Sequence, residues 1–107
     1  MKNDYEVRGD VTVLFIKRED GSIIETLIDT LDLERVQAYS GTWRAVWMKN
    51  RNICYVFGDR SVRNAGRPLL HRWIMRPPKY WIVKHLNRNG LDNRRSNLQV
   101  TKRSGRK

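Results

Sequence analysis

Cysteine is nearly absent from this chain of 107 residues, which holds one, Cys54. A single thiol forms no intramolecular disulfide and no Cys₄ or Cys₂His₂ zinc site. No apolar run reaches the ~18 residues of a membrane-spanning helix. The opening stretch, MKNDYEVRGD, lacks the apolar core of a signal peptide. These absences make a reducing, intracellular location without membrane contact the expectation. Acid is scarce in the second half, where Asp59 and Asp92 are the only carboxylates after residue 42.

What is present argues for a folded chain. Hydrophobic residues make up 39% and include four tryptophans, too many for a disordered polyelectrolyte. The length suits one small domain and leaves no room for two ordinary cores. The net charge is +11, and it is unevenly placed. Residues 1–42 carry five basic and nine acidic side chains, a net of −4. Residues 43–107 carry seventeen basic and two acidic ones, a net of +15. So concentrated a positive charge repels itself unless a polyanion offsets it, and nucleic acid is the expected polyanion.

Local patterning gives an order of elements. Residues 11–18 (VTVLFIKR) and 23–30 (IIETLIDT) are β-branched and apolar, and Glu19-Asp20-Gly21-Ser22 between them is a turn signal. Thr30 or Asp32 suits the cap of a short helical turn through Val36. Residues 42–49 and 53–58 form a second hairpin around Asn50-Arg51-Asn52. The two hairpins are expected to build one small antiparallel sheet. Trp43 and Trp47, four residues apart, share a strand face and are expected in the core. Cys54 is expected to be buried and inert.

Residues 59–68 read as a polar, basic loop. Residues 69–75 are an apolar segment, helix or strand-to-helix, stopped by Pro77-Pro78. Tyr80 to Leu86 is a strand by composition, Asn87 to Ser96 a loop, and Asn97 to Thr101 a short strand. Residues 102–107 have no apolar content and are expected to fray.

The stretch from His71 to Thr101 carries the chemistry. It holds His71-Arg72-Trp73-Ile74-Met75, then Pro77-Pro78, Val83-x-His85, Asn87-x-Asn89, and Leu91-Asp92-Asn93-Arg94-Arg95-Ser96-Asn97-Leu98 before Val100-Thr101. These residues resemble the HNH endonuclease family in its phage and mobile-element form. Together with the two hairpins it implies an α+β chain: the small antiparallel β-sheet in residues 1–68, followed in residues 69–107 by what the resemblance implies, a ββα-metal module with a shortened or missing final helix and a basic tail.

It also implies roles. His85 matches the general base that activates water, a task suited to an imidazole titrating near neutrality. Asn97 matches a structural asparagine that steadies the loop presenting the base. The family holds a hard cation, usually Mg²⁺, on oxygen ligands. One ligand is the acidic residue before the histidine, and here that residue is Lys84. Another is a distal asparagine, and here the position falls on Gly105. The final helix is expected to be cut short.

The expected function is therefore binding of DNA, double-stranded by resemblance, by a basic protein of phage or mobile-element origin, a pseudoenzyme whose metal-dependent cleavage is impaired or lost. No cofactor is expected, or Mg²⁺ if cleavage survives. Arg88, Arg94 and Arg95 in the loop after His85, with Arg60, Arg63 and Arg67 upstream, are the candidate phosphate contacts. His71 is read as a packing residue. Two alternatives stand beside this reading: an active nickase using His85, and a phage-encoded inhibitor that binds a host defence nuclease or a ribonucleoprotein.

Overall fold

The computed structural model describes residues 1–63 and 66–103. The architecture is α+β, with small and mostly antiparallel sheets. Strands β1 (Tyr5–Arg8), β2 (Val11–Lys17) and β3 (Ile23–Asp29) form an antiparallel meander. A one-turn 3₁₀ segment (Thr30–Asp32) leads into α1 (Leu33–Gln37). The hairpin of β4 (Trp43–Met48) and β5 (Ile53–Gly58) follows, then α2 (Leu70–Met75). Strand β6 (Trp81–His85), the short β7 (Asp92–Asn93), a 3₁₀ turn (Arg95–Asn97) and β8 (Leu98–Lys102) complete the order.

The expected single sheet is divided. The two hairpins lie in different sheets, and the first sheet runs β1-β2-β3-β7. Both edges of the β2–β3 hairpin are already taken, because β1 covers β2 and β7 pairs in parallel with β3. The hairpin β4–β5 therefore does not pair with β2 or β3 and packs into the shared core through its side chains instead. Strand β1 alternates Tyr5-Glu6-Val7-Arg8 over only four residues, and all four are exposed. Its order comes from the register with β2.

Alternation places one face of the sheet inward. Leu14, Ile16 and Ile28 from it meet Val36, Tyr39, Trp43, Val56, Leu70, Ile74 and Leu98 in one core. Residues on both sides of position 68 thus share that core. Tyr39, Trp43 and Trp73 form an aromatic trio with centroids 4.5–5.9 Å apart. Both indoles donate to α1, Trp43 to the Val36 carbonyl and Trp73 to the Arg35 carbonyl. Trp47 departs from expectation: it is 55% exposed, whereas Trp43 is fully buried. The two share a face, but Trp47 pairs with Cys54 toward the hairpin tip, where that face is open.

Asp32 makes no capping bond. Its carboxylate instead receives the guanidinium of Arg95 at 2.9–3.2 Å, tying the start of α1 to the turn before β8. Helix α2 ends at Arg76, which adopts a left-handed conformation (φ 49°) immediately before Pro77. A residue before proline is disfavoured in the right-handed helical region, so the helix stops there.

Candidate functional site

Strands β6 and β8 bring the ends of the motif together, with His85 opposite Leu98 in the register. The segment between them folds back as a loop. Asn97 holds that loop: its Oδ1 accepts the Asn87 N–H at 2.9 Å, and its Nδ2 donates to Asn87 Oδ1 and to the Asp92 carbonyl. It ends the 3₁₀ turn rather than sitting within a strand. Gly90 lets the loop lie directly on β5, because a Cβ there would collide with the Cys54 carbonyl oxygen.

The protonation of His85 follows from a chain of donors. Thr26 Oγ1 donates to the Leu91 carbonyl at 2.7 Å, which uses its one hydrogen. It must therefore accept from Asn93 Nδ2, at 2.9 Å. The same amide nitrogen donates to the Gly90 carbonyl, so Asn93 Oδ1 is the acceptor that faces His85. His85 Nε2 thus carries the proton, at 2.8 Å from that oxygen, and Nδ1 keeps its lone pair. Burial lowers the pKa of His85, while the Asn93 bond and the Asp92 charge oppose that shift. At neutral pH the ring is neutral and able to accept a proton.

Beside it stands His71 from α2, with ring centroids 4.6 Å apart and planes at 64°. Tyr55 of β5 lies against both imidazoles, at 5.2 and 5.8 Å. His71 is 4% exposed, and its Nδ1 is buried without a hydrogen-bond partner among the described residues. Its pKa falls to about 3, chiefly through burial and then through the neighbouring His85 and Arg72. Packing expected of His71 is what its burial shows, but the packing partner is the candidate base itself.

His85 opens onto a cleft of about 530 Å³ between the β4–β5 hairpin and β6. Arg51, Lys84 and Arg88 line it together with Tyr55 and Val83, and among the described residues no carboxylate lines it. An adjoining recess of about 300 Å³ shares Arg51, Tyr55, Ile82 and Val83 with it and extends to Val46, Met48 and His71. A larger cavity of about 590 Å³ lies elsewhere, where Lys17, Arg18 and Arg44 mix with Glu19 and Asp20.

No protein-family model, curated protein or solved structure matches this chain. The site must be read from its own geometry.

That geometry divides the candidate arginines. Arg88, exposed and at positive φ (62°), shares the cleft with His85. Arg94 instead grips Asp92 in a two-pronged pair at 2.7–2.8 Å. Arg95 grips Asp32 and also donates to the Ile74 carbonyl. Their guanidiniums hold loop and helix in place. Arg60 and Arg63 lie on the loop after β5, and the Arg67 guanidinium sits 6.0 Å over the Phe57 ring, lining a different pocket. Arg51, at the β4–β5 turn, takes the place beside His85 that these were expected to fill.

A divalent cation does not fit this wall. Hard cations take oxygen ligands, usually including carboxylates. Lys84 projects from β6 as an exposed ammonium next to His85. Asp92 has both oxygens engaged by Arg94 and Asn87. Among the described residues no group of three or more His, Cys, Asp or Glu could hold a metal. Gly105 lies outside the described residues, as do residues 104–107 of the basic tail; Lys102, expected to fray with them, belongs to β8. The helix that the resemblance implies after Thr101 therefore does not begin by residue 102. Cys54 is half-buried rather than buried, and burial raises its thiol pKa.

Thr26 and Asn93 were not singled out from the sequence. One signal was there: Thr26 occupies an inward position between Ile24 and Ile28, a polar residue in an apolar alternation.

Proposed function

We propose that this chain is a nucleic-acid-binding protein on an HNH-like scaffold of phage or mobile-element type, with metal-dependent cleavage impaired or lost. One observation carries the reading: a neutral histidine faces a cleft rimmed by Arg51, Lys84 and Arg88, with no carboxylate among the described residues of its wall. Among the described residues none of these three cations forms an ion pair with an acid. Such a rim suits phosphate and repels a divalent cation. The β6–β8 hairpin and the Asn97-braced loop support the scaffold resemblance.

A second reading, an active nickase, is favoured by the relay that leaves a lone pair on His85 Nδ1. A base without a cation lacks the main stabilisation of the leaving oxygen, so the first reading is preferred.

The test is binding and nicking in parallel. Titration of labelled DNA at rising salt should give a log–log slope of about −2.7 for three phosphate contacts. Supercoiled plasmid with Mg²⁺ or Mn²⁺ should stay intact. Absent or salt-insensitive binding overturns the proposal. Metal-dependent nicking that is lost in His85→Ala replaces it with the nickase, and Lys84→Asp should then raise the nicking rate. A nuclease-resistant complex with a host protein would move the basic face to protein recognition.

A further inference from the structure

Phosphate binding explains the cations at the mouth of the cleft but not the apolar recess beside them. Val46, Met48, Tyr55, Leu69, Ile82 and Val83 give that recess its apolar wall, beside the neutral ring of His71 and Arg72, whose guanidinium donates to the Trp81 carbonyl. Its volume, about 300 Å³, is at the lower end for small-ligand pockets, roughly 300–1,000 Å³. Val46, paired with Tyr55 across the hairpin, is 39% exposed at the rim of the recess. Arg51 borders both the recess and the cationic cleft.

We propose that the recess and the Arg51–Lys84–Arg88 rim together receive one unstacked nucleotide of a single strand, the base against Val46, Tyr55 and Ile82 and its phosphate on the rim. This rests on the nucleic-acid reading above and narrows it. Charge complementarity puts the phosphate at the cationic end. A paired base in a duplex offers only its edge in a groove, whereas an extruded or single-stranded base offers a flat face. An aromatic stacking surface beside a cationic track is the arrangement by which single strands are held without sequence preference, and Tyr55 supplies the aromatic here. Duplex DNA would use the rim and leave the recess empty.

Fluorescence anisotropy of the full chain with labelled oligothymidylate and with a duplex of the same length, at equal salt, tests this. The single strand should bind on the order of tenfold tighter. Val46→Gln with Met48→Gln, uncharged changes in the recess, should remove that preference and leave duplex affinity unchanged. Arg88→Ala should weaken both probes. Equal or tighter duplex binding by the unaltered chain overturns the inference while leaving nucleic-acid binding intact, and needs no variant to fold. Binding of neither probe overturns both. A preference that survives in a folded double variant, checked by its melting curve, also overturns the role of the recess.

Discussion

His71 and His85 stand ring against ring at 4.6 Å, yet only His85 is hydrogen-bonded, to Asn93. The two imidazoles are therefore unequal. One has a fixed tautomer and borders the cationic rim. The other is a neutral wall, with a buried nitrogen that nothing among the described residues satisfies. Two protonated rings at this distance would repel each other, and burial already disfavours either charge.

The first prediction concerns acid stability. His71 titrates near 3 in the folded chain against 6.5 for the free group. A depressed histidine pKa means that the unfolded chain binds more protons between these values. The contribution is complete above about pH 6.5 and is lost as the pH falls toward 3, by up to about 1.4 kcal/mol per pH unit. His85 shifts in the same direction. Denaturant melts at pH 7, 5.5 and 4.5 should show His71→Phe losing less stability on acidification than the unaltered chain. Parallel pH profiles for the two proteins would refute the assignment.

The second concerns the relay. Nitrogen NMR of the histidine rings should find His85 protonated on Nε2. Asn93→Leu removes a hydrogen bond that raises the His85 pKa, so the value should fall further and both tautomers should appear. Thr26→Val should loosen the tautomer without touching the ring. An unchanged tautomer in Asn93→Leu would show that something other than Asn93 sets it.

The third separates the arginines. Arg95→Ala leaves the Asp32 carboxylate, 6% exposed, without its partner. Loss of roughly 1–3 kcal/mol of stability is expected, less than for a fully buried pair because Arg95 is half exposed. Nucleic-acid affinity, measured below the melting range, should barely move. Arg51→Ala and Arg88→Ala should behave oppositely, each reducing the salt slope by about 1 with little change in melting temperature. If Arg95→Ala weakened binding as much as Arg88→Ala does, the division of roles would fail.

The fourth concerns Gly90. An alanine there forces the loop off the β5 backbone at Cys54. The strain should cost about 1–3 kcal/mol, the range for overpacked interiors. The Asn93–His85 bond should lengthen with it, visible as a shifted His85 titration. Gly21→Ala is the control: nothing lies within 4 Å of a Cβ there, so only its positive φ of 91° resists the change.

Local sequence was enough for most of the elements. Runs of β-branched and aromatic residues between Gly-, Asn- or Pro-bearing turns mark β2, β3, β4, β5 and β6, because a strand's inward and outward faces are written at a period of two. Pro77-Pro78 marks the end of α2, because proline acts on the residue beside it. Charge counting located the positive half. His85 and Asn97 were both visible in one continuous motif, with the loop that joins them.

What tertiary structure alone decided is who stands beside whom. Asn93 meets Thr26 across 67 residues, and Arg95 meets Asp32 across 63. Neither pairing has a local signature, since hydrogen-bond partners are chosen by the register of β7 on β3 rather than by neighbours in the chain. The same holds for the cleft. Arg51 and Tyr55 come from one hairpin, His71 from a helix and His85 from another strand. Composition established that the second half is basic. Only the packing of β4–β5 over β6 determined that Arg51, Lys84 and Arg88 gather on one rim while Arg94 and Arg95 are held by carboxylates, because a charge is free or paired according to what folding brings within about 4 Å of it.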